Sequence, residues 1–169
     1  MNQTYRDNMR TITMPLYPNG EHRMSYIKQS LKSLLACDGI EEWVIHFGIE
    51  PGDHLEEMIT ICRNITELPV VIHINPERLD VRQNTHNTIG YAFAYGSEFN
   101  LTVPDDLIYA KDALSLATWY YNTFKEDRGG YMYYGLFSYS NNPEQSNQLY
   151  EVHNQFTGLG VCFFPDTFF

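Results

Sequence analysis

The densest chemical signal in the chain is Asp105-Asp106, two adjacent carboxylates after the short apolar run Phe99 to Val103 and before the apolar pair Leu107-Ile108. Like charges this close are unfavourable unless solvent, backbone donors or a cation compensate them. Hard divalent ions such as Mg2+ and Mn2+ are held by one or two carboxylates together with substrate phosphates. The pair is therefore a natural place for a metal-bound diphosphate. The competing reading is an exposed Pro104-Asp105-Asp106 turn in which one carboxylate caps the following helix. His153, on a candidate strand, could ligate a metal, although a lone strand histidine is more often structural.

Elements must hold such a pair in place, and the hydrophobic pattern supplies them. Thr11 to Leu16 reads as a strand that ends in the turn Tyr17-Pro18-Asn19-Gly20. Met24, Ile27, Leu31, Leu34 and Leu35 then recur at helical spacing until Asp38-Gly39 closes the pattern. Glu42 to Phe47 is a second strand and Gly48 to Asp53 a second turn, with Asp53 placed to cap a helix containing Leu55, Met58, Ile59 and Cys62. Leu68 to Ile74 is a third strand, apolar enough to be buried on both faces. A helix over 84–95 would turn Ile89, Ala92, Phe93 and His86 inward, and a strand over 99–103 leads to the Asp pair. A helix over 111–124 follows, then strand-like stretches over 131–139 and within 149–164.

This alternation predicts an α/β fold, a three-layer α/β/α sandwich with a mostly parallel sheet and right-handed crossovers. Ligands in such sheets sit beyond the carboxyl ends of the strands. The loops over 15–20, 48–53 and 75–82 then share one functional rim, and 104–106 follows at the carboxyl end of the fourth strand.

Composition narrows the partners. The 169 residues suit one domain, and 43% hydrophobic content supports a packed core. Eleven Lys and Arg against 21 Asp and Glu give a net charge of -10, which disfavours nucleic acid. A small anion would need a metal ion, helix N-termini or a few local cations. Cys37, Cys62 and Cys162 lack a CxxC pair and read as reduced, buried thiols. No signal peptide or membrane span is visible, so the expected compartment is cytoplasmic. The chain ends on an apolar Phe168-Phe169, and it reads as the N-terminal part of a longer protein.

The segment PDDLIYAKDAL at 104–114 resembles the metal-binding segment of GT-A glycosyltransferases, in which an acidic motif ends a strand and a helix start follows. Other segments fall in the same order. ITMPLYPNGEHRMSYIKQSLKSLL resembles the first strand, loop and helix of family 2-type enzymes, and NTHNTIGYAFAYGSEFNLTV the helix and strand before their motif. LYEVHNQFTGLGV resembles the acceptor-side segment of N-acetylglucosaminyltransferase I-like enzymes.

The resemblance implies a metal-dependent glycosyltransferase domain that binds a nucleotide diphosphate sugar, UDP-sugar first, and transfers the sugar to a glycan or protein-linked glycan with inversion. It implies Asp106 as the direct Mn2+ or Mg2+ ligand and Asp105 on the ribose or a metal-bound water. Pro15 and Tyr17 would lie beside the base. Arg82, Asn84, His86 and Asn87 would face the diphosphate and sugar, with helix capping the alternative for Asn84. The acidic residue that reads the base is replaced at its expected place by Gly48, leaving Glu50 or Asp53 as substitutes. A base must take the acceptor proton as the hydroxyl attacks, and the candidates are Glu151, His153 and Asp166. Should none serve, the chain is a non-catalytic nucleotide-sugar-binding domain.

Overall fold

The computed structural model describes residues 9–127, 134–135 and 160–168. Along the chain run β1 (Arg10–Leu16), α1 (Glu21–Leu35), a 3-10 turn (Ile40–Glu42), β2 (Trp43–Ile49), α2 (Leu55–Arg63), β3 (Val70–Ile74) and α3 (Val81–Ala94). Then come β4 (Phe99–Thr102), α4 (Ala113–Phe124), β5 (Tyr134–Gly135), β6 (Val161–Phe163) and the short α5 (Pro165–Phe168). The strands form a six-stranded sheet in the order β3-β2-β1-β4-β6-β5. The first four are mutually parallel, whereas β6 runs antiparallel to β4 and β5 antiparallel to β6.

Strand periodicity divides the sheet into two chemically different faces. Ile12, Met14 and Leu16 of β1 share a face with Ile45, Phe47 and Ile49 of β2 and with Phe99 and Leu101 of β4. They form the main core with Met24, Ile27, Leu31 and Leu34 of α1, Met58 and Cys62 of α2, and Leu114, Ala117 and Tyr120 of α4. Each large side chain buried here contributes about 1.5–3 kcal/mol.

The opposite face is polar and lies under α3, which packs on β1, β2 and β4. The buried hydroxyl and amide groups of β1, β4 and Ser97 bond one another. Thr13 Oγ1 donates to Asn100 Oδ1 at 3.1 Å, Asn100 Nδ2 donates to Thr11 Oγ1 at 2.9 Å, and the Thr11 and Ser97 hydroxyls lie 2.8 Å apart. Unpaired, such groups would each cost about 1–3 kcal/mol; paired, they fix the β1–β4 register. Gly48 allows α3 to sit close: a Cβ there would fall 1.9 Å from Thr88 Oγ1 and 2.8 Å from Asn84 Oδ1.

Several elements differ from their sequence expectation. β3 is the sheet edge among the described residues, with its residues half-buried and Ile74 exposed, because no further described strand lies beyond it. α3 begins at Val81 and is capped by Asp80, whose carboxylate accepts from the Gln83 N–H at 2.9 Å. Asn84 is thus not a cap. Asp53 is no cap either: α2 starts after His54 without a side-chain cap bond, and Asp53 is exposed. β2 runs two residues past Phe47 to Ile49. All three cysteines are free and buried, as expected. Among the described residues no helix is long and apolar enough to cross a membrane.

Candidate donor and metal site

Chain order reverses between β1 and its two neighbours: β2 and β3 extend the sheet one way and β4 the other. The carboxyl ends of β1 and β4 therefore open a crevice at a topological switch point. Three loops converge there. Val103 N–H bonds Thr13 O at 2.9 Å, Glu50 N–H bonds Leu16 O at 2.9 Å, and His54 N–H bonds Pro18 O at 3.0 Å. Gly52 lies so close to the first loop that a Cβ would stand 2.5 Å from Pro18 O.

The loop after β4 carries the Asp pair, and α1 clamps it. Ser30 Oγ donates to Pro104 O at 3.4 Å, the Tyr109 N–H donates to Ser33 Oγ at 3.0 Å, and the Asp38 N–H donates to Lys111 O at 2.8 Å. The hydroxyl of half-buried Tyr109 also donates to Pro104 O. Asp105 is held inside at 4% exposure while Asp106 faces outward. Neither caps α4, whose first flanking residue is Asp112.

Burial pushes the Asp105 carboxyl up to about 6, and Asp106 adds to the rise. The Arg23 guanidinium and the backbone N–H groups of Tyr17 and Asp105 itself oppose it. Arg23, in the first turn of α1, bonds Asp105 Oδ1 and reaches Asp106 Oδ2 at 3.3 Å. Asp105 Oδ2 is buried and has no hydrogen-bond partner among the described residues. An unpaired buried carboxylate oxygen is costly unless a cation or donor completes it. Two carboxylates fall short of a complete protein cage; among the described residues no third His, Cys, Asp or Glu joins them. They fit a hard cation whose remaining ligands are phosphate oxygens and water.

The neighbouring rim holds Tyr17, Arg78 and Glu50. The Arg78 guanidinium lies 4.5 Å from the Tyr17 ring centroid. Glu50, the first residue after β2, is 4% exposed. Burial raises its carboxyl, against the Arg78 charge and the Leu79 backbone N–H, and Asp80 adds to the rise. Of the two acidic substitutes for the residue expected at the place of Gly48, Glu50 is buried directly after β2 and Asp53 is exposed. Pro15, one residue before the end of β1, is half-buried and pairs in register with Gly48.

The α3 candidates separate. Asn84 is buried: its Nδ2 donates to Gly48 O at 3.0 Å and its Oδ1 accepts from Asn75 Nδ2 at 2.9 Å, so it ties α3 and the β3–α3 loop to β2. Arg82 is exposed, Asn87 half-buried and His86 exposed. The His86 ring packs on Phe168 at 4.9 Å instead of turning into the core as expected. Asp166, in α5, lines a cavity with Ser97 and Glu98 at the start of β4. That is the amino end of the strand, opposite Asp105, which removes Asp166 as a base for chemistry at the pair. Glu151, His153 and most of the acceptor-side segment lie outside the described residues.

Sequence reasoning missed Arg23, Arg78, Asn75 and Asp80. Arg23 did leave a trace, because a cation in the first turn opposes the helix dipole and implies an anionic partner elsewhere.

The sequence matches no family model and no curated protein sequence. Solved structures do match the fold. TarS of S. aureus aligns with TM-score 0.55 at 19% identity over 68% of this chain and 20% of that one. TarS 1-349 in complex with UDP-GlcNAc aligns at 0.53 and 20% identity, over 69% of this chain and 32% of that one. The mannosyltransferase PcManGT from Pyrobaculum calidifontis, in complex with GDP-Man and Mn2+, aligns at 0.54 and 16% identity, over 69% and 33% respectively. The chain spans a third or less of each of these proteins. It has the nucleotide-diphospho-sugar transferase fold of GT-A type.

Proposed function

We propose that this chain is the donor-binding domain of a metal-dependent glycosyltransferase that binds a nucleotide diphosphate sugar at the β1–β4 crevice. The observation that carries the reading is Asp105 Oδ2, a buried carboxylate oxygen without a partner, beside solvent-facing Asp106 at the switch point. Mn2+ or Mg2+ bound there would supply Lewis-acid stabilisation of the departing diphosphate. Asp106 would hold the ion directly, and Asp105 would hold it or its water. Tyr17 and Pro15 flank the base, and buried Glu50 accepts from a base N–H. Asn84 acts indirectly, by holding the β2 end that carries Glu50. The fold matches, including structures holding UDP-GlcNAc and GDP-Man with Mn2+, support this class of donor.

Transfer goes to an acceptor hydroxyl with inversion, and the acceptor is a glycan or protein-linked glycan. The proton-accepting base is Glu151 or His153. The alternative is a domain that binds donor without turning it over. Calorimetry with UDP-sugars and GDP-mannose, with and without Mn2+, tests the binding claim, and donor hydrolysis separates the two readings. Metal-independent binding would overturn the first, while metal-dependent binding with no hydrolysis or transfer would favour the second.

A further inference from the structure

We propose that Arg23 is an internal counter-ion that pairs with the two Asp carboxylates until metal and nucleotide arrive and then moves to the diphosphate. Metal and nucleotide binding are thereby coupled. This rests on the donor-site reading above and adds to it a specific order of ionic exchange.

Three observations carry it. First, the Arg23 side chain spans both carboxylates, one nitrogen on Asp105 Oδ1 and the other 3.3 Å from Asp106 Oδ2. A planar fork matches two separate oxygens in a way that a point charge cannot. It occupies one oxygen of each acid and leaves Asp105 Oδ2 unpaired. The guanidinium thus neutralises the pair without completing it. Second, the same helix clamps the loop. Ser30 and Ser33 of α1 hold Pro104 and Tyr109, so the helix that carries Arg23 is tied to the loop that carries the Asp pair. Third, Arg23 is open to solvent. Its side chain is 36% exposed and lies in the first helical turn, where the dipole disfavours a cation. Among the described residues the two carboxylates are its hydrogen-bond partners.

A divalent ion entering alone must displace this guanidinium and then leave two positive groups side by side. A nucleotide diphosphate removes the conflict, because its phosphate oxygens accept the released guanidinium and share the ion. Metal alone binds weakly as a result, and metal with diphosphate binds well. The net transfer is one cation from carboxylate to phosphate, with no bond made or broken covalently.

The test is Mn2+ binding to the nucleotide-free chain, followed by the loss of the free-ion electron paramagnetic resonance signal, and repeated with UDP. Arg23→Gln is expected to bind Mn2+ alone about tenfold tighter than the unmodified chain, since it removes the competing charge. The increase in Mn2+ affinity on adding UDP should shrink by a similar factor. Arg23→Lys, which keeps the charge without the fork, should fall between the two and serves if the glutamine variant folds poorly. Unchanged or weaker Mn2+ binding by Arg23→Gln, with the UDP coupling intact, would overturn the proposal. Asp106→Asn is the separate control: if Mn2+ binding survives that change unaltered, the metal site itself is misplaced and the donor-site reading fails with it.

Discussion

His46 sits on the polar sheet face with no solvent exposure. Its Nδ1 lies 3.1 Å from His73 Nε2, its ring meets Tyr95 edge-on at 5.4 Å, and Tyr91 stacks on His73 at 4.5 Å. No carboxylate is among these neighbours, and His46 Nε2 has no partner among the described residues. Burial, with the His73 charge second, lowers the His46 pKa from 6.5 to about 4. The unfolded chain therefore binds a proton that the folded chain refuses between those two values, and stability drops as the pH is lowered through that window. At about 1.4 kcal/mol per pH unit the full loss is about 3 kcal/mol, complete below about pH 4 and absent above about pH 6.5. Urea midpoints at steps from pH 7 to pH 4, for the unmodified chain and for His46→Phe, isolate the effect. Every other titrating group is common to both, so the difference between the two curves belongs to His46 and its coupling to His73. Parallel curves would refute the reasoning, because they would mean that His46 is protonated in the folded chain without penalty.

Three other changes probe the frame around the site. Gly48→Ala would place a Cβ 1.9 Å from Thr88 Oγ1; a loss of about 3 kcal/mol in urea unfolding is expected, and pairing it with Thr88→Ala should recover part of that loss. Asp80→Ala removes the α3 cap and should cost about 1 kcal/mol, visible as a lower urea midpoint. Asp105→Asn removes a buried, half-satisfied charge while Arg23 keeps Asp106. The nucleotide-free fold should therefore gain about 1 kcal/mol at pH 7.5 while Mn2+-dependent nucleotide binding disappears. A destabilised Asp105→Asn chain would show that the Arg23 ion pair outweighs the burial cost.

The alternation of strands and helices was readable because most positions facing the main core are apolar at the right period, as in Met24, Ile27, Leu31 and Leu34. The Asp pair was readable because it follows directly on a strand. Sheet order was not, since an apolar strand such as Val70–Ile74 looks the same at an edge as in the centre. Gly48 misled for a physical reason. Glycine reads as a turn, yet here it keeps β2 going beneath a closely packed α3, which moves the first acidic residue of the rim to Glu50. Asn84 resembles a cap because asparagine often is one, and only its contacts to Gly48 and Asn75 show otherwise. Arg23 meets Asp105 across 82 positions of chain, a distance that local patterns do not span.

The central claim is that Asp105 and Asp106 hold the cation that carries a nucleotide diphosphate. A crystal soaked with Mn2+ and UDP, recorded at the manganese absorption edge, locates the ion directly. An anomalous peak between Asp106 and the diphosphate, with Arg23 turned from the carboxylates to phosphate, is the predicted result. A peak elsewhere, or UDP bound away from the β1–β4 crevice, would contradict it.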